Sequence, residues 1–366
     1  MTTYQVTLQT LTPVHIGAGE ELRLGFDFVI HNGRTWRLDV DAVLEAKWEQ
    51  MGLDRPGQSR YPLPGQVLSP QDFNNPAFFR YVVRGIPYSF KNDARLQACI
   101  KDPWDRPYIP GSSLKGAIRT ALAWTGWDEA HIRLSRDAIG HSRNWAGRPL
   151  ERKLFGKDPN HDLLRALQVS DLHGNLDPNQ ALGVVVARVL TPNDIQSPIS
   201  LEAILGDQTL RGTLKIDDSL FAPYAEPRLH FGNRKHWLTE LMPRIQAHSR
   251  ARIERLAAWF EGIRGAEKIA RFYRQLDALR LPKHQALLQI GWGSGWDGKT
   301  FWTHLQKDEH LFEKLVRQFR LQHRSRRRRE VGDPFPISRR VVTVDKTAPK
   351  AVAPFGWVVL TLEANE

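Results

Sequence analysis

The sequence predicts an α+β fold, on three observations. Runs with the two-residue period of half-buried strands recur along the chain, segments with helical spacing stand between them, and the two kinds do not follow the strict strand–helix alternation of a doubly wound sheet. Tyr4, Val6 and Leu8 alternate with Gln5, Thr7 and Gln9, so a strand starts almost at the N-terminus. Further strands are expected at 26–30, 35–40, 182–190, 199–205, 209–216, 286–290 and 357–362, many of them rich in β-branched residues. The neighbouring runs 199–205 and 209–216 read as an antiparallel hairpin. Ile253, Leu256, Ala257, Phe260 and Ile263 have helical spacing, and Ile269, Phe272, Tyr273, Leu276 and Leu279 resume it after Gly262 and Gly265. These stripes are read as core packing. The Gly-, Pro- and charge-rich stretches 57–76, 141–161 and 323–354 are too long for ordinary connections and are expected to be mobile or ordered by a partner.

The chain has 366 residues, enough at about 150 residues per domain for roughly two domains and a sizeable core. Lysine and arginine number 52 against 40 aspartates and glutamates, a net charge of +12 that points to a polyanionic partner, nucleic acid ahead of a membrane surface. Cys99 is the single cysteine, which excludes an internal disulfide and a cysteine-built zinc site and suits a reducing compartment. Residues 1–11 lack a basic region followed by an apolar one, and no apolar run reaches membrane-spanning length, so a cytoplasmic protein is expected. The 13 histidines form no H-E-x-x-H pattern and no G-x-S-x-G elbow occurs, so neither a metal, a cofactor nor a serine triad is expected.

Three glycine-bearing segments carry the chemistry. In Pro13-Val14-His15-Ile16-Gly17-Ala18-Gly19, after the first strand, Gly17 and Gly19 permit a tight turn that brings backbone N–H groups to a ligand; taken alone, the segment reads better as an ordinary strand-ending turn with a surface histidine. In the second, Pro110 and Gly111 end an extended stretch, Ser112 or Ser113 is placed to cap, and Leu114, Ala117, Ile118 and Leu122 follow helical spacing. Its helix N-terminus, with Lys115 and Arg119 one turn apart, has the parts of a phosphate site, or is a capped helix with two solvated cations. The third holds Gly291, Gly293, Gly295 and Lys299, and residues 293–300 meet the formal nucleotide-loop pattern G-x-x-x-x-G-K-T. The run 341–345, apolar and ending in Asp345, resembles the strand that holds magnesium in such enzymes. Against that reading, too little chain follows to build a parallel nucleotide-binding sheet, and Trp292 and Trp296 are bulky for a phosphate cradle. Both tryptophans read as packing residues, with stacking on bases as the alternative.

Taken in order, PVHIGAG, RTWRLDVDAVLE, IPGSSLKGAIRTAL, LQVSDL, GWGSGWDGKT and SRRVV followed by PFGWVVL resemble the RAMP superfamily over nearly the whole chain, most closely the Csm-type subunit near the 3′ end of the guide RNA in type III-A CRISPR effector complexes. The resemblance implies two ferredoxin-like, RRM-like β-α-β-β-α-β modules, expected at 1–180 and 181–366, with glycine-rich loops and long insertions. It also implies a ribonucleoprotein of antiviral defence, in which guide RNA (crRNA) is gripped by its backbone and other RAMP subunits stand alongside in a hetero-oligomer. Gly291, Gly293 and Gly295 then belong to the family's glycine-rich loop, and Lys299 ends an RNA-binding loop instead of a nucleotide site. The RNA contacts expected are His15, Gly17, Gly19, Gly111, Ser112, Ser113, Lys115, Arg119, Gly291, Gly293, Gly295 and Lys299.

Some members of the wider superfamily are metal-independent ribonucleases with a histidine general base, and His15 is suitably placed after the first strand. No Tyr, Lys or second His is visibly paired with it, so a non-catalytic RNA-binding role is expected. A guide-processing endoribonuclease at His15 and an ATPase at Lys299 stand as alternatives. Arg324 and Arg326 to Arg329, after the amphipathic stripe Leu311, Phe312, Leu315, Val316 and Phe319, read as a basic tail, solvated or RNA-binding.

Overall fold

The structure, a computed structural model, describes residues 1–54, 57, 61–89, 94–140, 142–299, 301, 303–321 and 330–364, with the backbone alone of Arg136 and Asp137. It is α+β and built on two sheets. In the first, the N-terminal strand Thr2–Thr10 lies between Trp357–Ala364 and Thr209–Ile216, antiparallel to both. Leu167–Val169 extends one side and Gln285–Gln289 the other. Along the chain, Thr2–Thr10, the helix Gly111–Thr125, Leu167–Val169, Thr209–Ile216, the helix Leu241–Phe260 and Trp357–Ala364 form a β-α-β-β-α-β unit. Its spatial strand order is fourth, first, third, second, the ferredoxin-like arrangement, with Gln285–Gln289 as an added edge strand. Val6, Leu8, Leu210, Leu214 and Leu360 of the sheet share one core with Leu114, Ile118, Leu122 and Ile245 of the two helices.

Among the described residues, the second sheet runs Gly17–Arg23, Arg95–Cys99, Ile195–Ile204, Leu182–Leu190, Phe79–Arg84, Arg34–Leu38, Phe28–His31. Arg339–Val344 also pairs with Leu182–Leu190, and Lys350–Pro354 lies beyond it. Leu182–Leu190 is apolar along most of its length, as a strand covered by neighbours requires. Both sheets draw strands from before and after residue 180.

Several local expectations are corrected. The hairpin of 199–205 with 209–216 does not form, because Ile195–Ile204 pairs with Leu182–Leu190 and Thr209–Ile216 with Thr2–Thr10, in different sheets. Thr10 pins the link between them: its hydroxyl donates to the Leu205 carbonyl (2.7 Å), and its carbonyl accepts from the Asp207 N–H (2.7 Å). A turn signal predicts a reversal without choosing the partner. The strand expected at 35–40 stops at Leu38, since Asp39 accepts from the Ala42 N–H (3.1 Å) and caps the helix Val40–Ala46. The helix expected at 253–263 is Leu241–Phe260, and Ile263 falls beyond its end. The supposed long connections contain ordered elements: 3₁₀ turns at Pro64–Gln66 and Pro70–Asn74, the helix Arg148–Phe155, and the strands Arg339–Val344 and Lys350–Pro354. Burial of Leu150, Leu154, Phe155, Val341 and Ala351 holds the last three in place. The stripe before the basic run forms the helix Glu309–Gln318, with Phe312, Leu315 and Val316 inward. Arg324 and Arg326 to Arg329 lie outside the described residues. No helix among the described residues is long and apolar enough to cross a membrane.

Candidate functional site

The three glycine-bearing segments, far apart in sequence, line a single groove of about 420 Å³, to which Gly17, Ser112, Ser113, Gly291, Trp292 and Lys299 contribute. Backbone hydrogen bonds stitch two of the segments together: the Trp292 N–H donates to the His15 carbonyl (2.8 Å), the Gly356 N–H to Pro13 (2.9 Å) and the Ile290 N–H to Gly356 (2.9 Å). Gly291 is required at this crossing. Its φ is +73°, and a Cβ there would stand 2.7 Å from the His15 carbonyl oxygen.

The first segment is the opening of the strand Gly17–Arg23 rather than a turn, with Gly17 and Gly19 both exposed. His15 is not the expected surface histidine, being only 3% exposed. Its Nδ1 lies 2.6 Å from the Glu202 carbonyl oxygen, an acceptor, so Nδ1 carries the hydrogen and Nε2 is left as the acceptor. Burial lowers the His15 pKa below its ordinary value, although the bond to Glu202 opposes this, so the ring is neutral. The Glu202 carboxylate, itself buried, accepts from the Lys101 ammonium (2.6 Å), the Tyr81 hydroxyl (2.7 Å) and the Cys99 N–H (3.1 Å). Burial and then Glu202 push the Tyr81 pKa well up. Sequence reading missed this Tyr and Lys because Tyr81 stands on the strand Phe79–Arg84 and Lys101 just past the end of Arg95–Cys99, both far from His15 in sequence. The hydrogen bonds described for them run to Glu202 and the Cys99 carbonyl, not to the His15 ring.

The second segment forms the helix Gly111–Thr125 with Pro110, not a serine, in the cap position. The Gly111 N–H donates to the Asp171 carboxylate (2.8 Å), which takes one donor of the expected anion site. A Cβ at Gly111 would meet the Val169 carbonyl oxygen at 2.3 Å, so only glycine lets the helix start this close to the strand Leu167–Val169. Lys115 and Arg119 are not equivalent. The Lys115 ammonium donates to the Leu167 carbonyl (2.7 Å), with its pKa lowered mainly by burial. Arg119 donates to Asp162 (2.8 Å) and Glu151 (3.1 Å) with its guanidinium 4.0 Å from the centre of the Phe155 ring. Both line an adjoining groove of about 560 Å³, where Arg148, Arg152, Lys157 and Arg165 join them against Glu151, Asp158 and Asp162.

The third segment is held from below by buried charge. Asp297 receives Arg339 on both oxygens (3.0 and 2.8 Å), with Arg252 3.7 Å away. Arg252 also donates to Gln289 (2.6 Å) and to the Ser294 carbonyl (3.1 Å), and Gln289 to the Phe355 carbonyl (2.7 Å). The formal nucleotide pattern does not build a nucleotide cradle. A P-loop leads straight into a helix whose N–H groups face the phosphates, whereas Trp296–Gly298 is a 3₁₀ turn and a Cβ at Gly298 would lie 2.9 Å from the Arg252 guanidinium. The strand Arg339–Val344 lies in the other sheet from Gln285–Gln289, and Asp345 is occupied with the Thr347 N–H (3.0 Å) and hydroxyl (2.9 Å). Thr300 lies outside the described residues. Trp292 packs edge-on to Phe355 (5.3 Å between ring centres) and Trp296 to Phe335 (4.9 Å), while Lys299 is exposed at the rim.

Among proteins of known name, this chain is similar to the "CRISPR system Cms protein Csm5" of Methanocaldococcus jannaschii, 28% identical over 187 residues (46% of this chain, 42% of that protein). It is also similar to the protein so named from Streptococcus thermophilus, 30% identical over 135 residues (33% of this chain, 38% of that protein). The matches therefore span less than half the length of these relatives. Among solved structures, it resembles a chain of a cryo-EM Csm–crRNA–target RNA ternary complex of a type III-A CRISPR-Cas system, with TM-score 0.69, 22% identity and coverage of 99% of this chain and 100% of that one. It likewise resembles a crystal structure of T. onnurineus Csm5, with TM-score 0.62, 21% identity and coverage of 96% and 99%. The sequence model of the RAMP superfamily matches residues 7–296, across all of the first two segments and most of the third, and the chain belongs to that superfamily.

Proposed function

We propose that this chain is a Csm5-type subunit of a type III-A CRISPR ribonucleoprotein, cytoplasmic and without catalysis of its own, that holds the 3′ region of the guide RNA beside other RAMP subunits. The observation that carries the reading is the meeting of the three glycine-bearing segments at one groove that continues into a groove lined by six cations and three carboxylates. Such a surface suits phosphates and 2′-hydroxyls approached without base reading. Similarity to Csm5 proteins and to a chain of a Csm–crRNA complex supports it. The neutral, buried His15 and the engagement of Tyr81 and Lys101 with Glu202 support a loop-shaping role over general base catalysis.

The test is capture of the tagged protein from cells of its source, with sequencing of bound RNA and identification of co-purifying proteins. Repeat-derived guide RNA together with other RAMP subunits is expected, and Lys115→Ala should cut the RNA recovered several-fold while reducing stability by no more than about 1 kcal/mol, the loss of its hydrogen bond to the Leu167 carbonyl. Metal-independent cleavage of repeat RNA in EDTA, lost in His15→Ala, would replace this reading with the endoribonuclease one.

A further inference from the structure

Between the two polar grooves opens a half-enclosed pocket of about 310 Å³ with walls of a different character, formed by Leu150, Phe155, Phe301, Phe312, Leu315 and Phe319. Three cations, Arg119, Arg143 and Lys299, line it as well. Lys299 and Thr120 are shared with the glycine-loop groove, and Arg119 and Glu151 with the basic groove, so the pocket is continuous with both.

We propose that this pocket takes one unstacked nucleobase of the bound RNA, while the phosphates on either side of that nucleotide lie in the two grooves. The proposal rests on the guide-RNA reading above. A base buries two apolar faces and brings a negative charge to each side of itself, which is the pattern here: aromatic and aliphatic walls with cations toward both neighbouring grooves. Arg119 is suited to such a neighbour, because its guanidinium lies 4.0 Å from the centre of the Phe155 ring and so places a cation beside an aromatic wall. An apolar side chain of another protein would fill the walls but leave Arg143 and Lys299, which have no carboxylate partner among the described residues, without a counter-charge; Arg119 is already paired with Asp162 and Glu151. The Thr120 hydroxyl donates to the Gly116 carbonyl (3.2 Å) within its own helix, so the pocket selects an unstacked base chiefly by the shape of its apolar walls.

The experiment uses the assembled complex loaded with synthetic guide RNAs, each carrying one abasic nucleotide, scanned along the 3′ region. Loss of the stacked base should weaken retention about ten-fold at one position and little at the others. Ala146→Phe, which fills the pocket from an exposed wall position, should weaken intact RNA to the same extent and make the abasic RNA no weaker still. A flat abasic scan with the wild-type protein, while Lys115→Ala still reduces RNA recovery, overturns the base pocket and leaves the guide-RNA reading standing. A flat scan with no effect of Lys115→Ala removes both. If Ala146→Phe releases a partner subunit and leaves RNA retention unchanged, the occupant is a protein side chain and the proposal is wrong.

Discussion

At the scale of single residues, two histidines show how little a side chain's identity says about its state. His15 is neutral through burial and a bond to a carbonyl. His248, in the helix Leu241–Phe260, is 2% exposed, and neither ring nitrogen has a hydrogen-bond partner among the described residues. Burial, and then the charge of Arg252, hold its pKa well below the ordinary 6.5. In the unfolded chain both rings take up a proton as pH falls through about 6.5, while the folded protein keeps them neutral to lower pH. The unfolded state then binds more protons, so stability falls as pH drops below that point. The melting temperature is expected to decline between pH 7 and pH 5.5, and less steeply for His248→Leu. Equal slopes for the two proteins would show that His248 does not drive the decline.

At the scale of elements, the glycine loop owes its shape to charges that the helix Leu241–Phe260 and the strand Arg339–Val344 place beneath it. Asp297 is 3% exposed and faces two arginines that are 3% and 7% exposed. Asp297→Asn keeps the shape and removes the charge, leaving two buried guanidinium groups without their carboxylate. A loss of about 3–5 kcal/mol is expected, read as a lower midpoint of chemical denaturation. Lys299→Ala, at the exposed rim of the same loop, should leave that midpoint unchanged. The sequence supplies the loop's glycines and its GWDGK ending but not this support, because Arg252, Gln289 and Arg339 are distant in sequence and carry no spacing that links them. Likewise, Lys115 and Arg119 read as two equal cations at helical spacing, whereas only tertiary contact gives Arg119 two carboxylates and an aromatic ring.

At the scale of the whole molecule, the net charge of +12 predicts binding that weakens steeply with salt. For single-stranded RNA, each phosphate contact contributes about 0.7 to the slope of log affinity against log salt, so Lys115→Ala should flatten that slope by about that amount. Scrambling the bases should change affinity little, and salt-insensitive binding would remove the electrostatic account. Since the third segment is no nucleotide cradle, magnesium-dependent ATP binding is not expected by calorimetry. Saturable micromolar binding abolished by Lys299→Ala would restore the ATPase alternative.

The sequence by itself determined the α+β class, the strands Thr2–Thr10, Leu182–Leu190 and Thr209–Ile216, and the segments that carry the glycines and cations. These follow from periodicity, from backbone freedom and from charge, all of which act over a few neighbouring residues. Only the tertiary structure decided that Ile195–Ile204 and Thr209–Ile216 part into different sheets, that His15 is buried against Glu202, and that the three segments share one groove. Each of these depends on which distant partner satisfies a strand edge, a ring nitrogen or a buried charge. That choice is set by the competition among all such groups for burial and hydrogen bonds, and no local pattern records it.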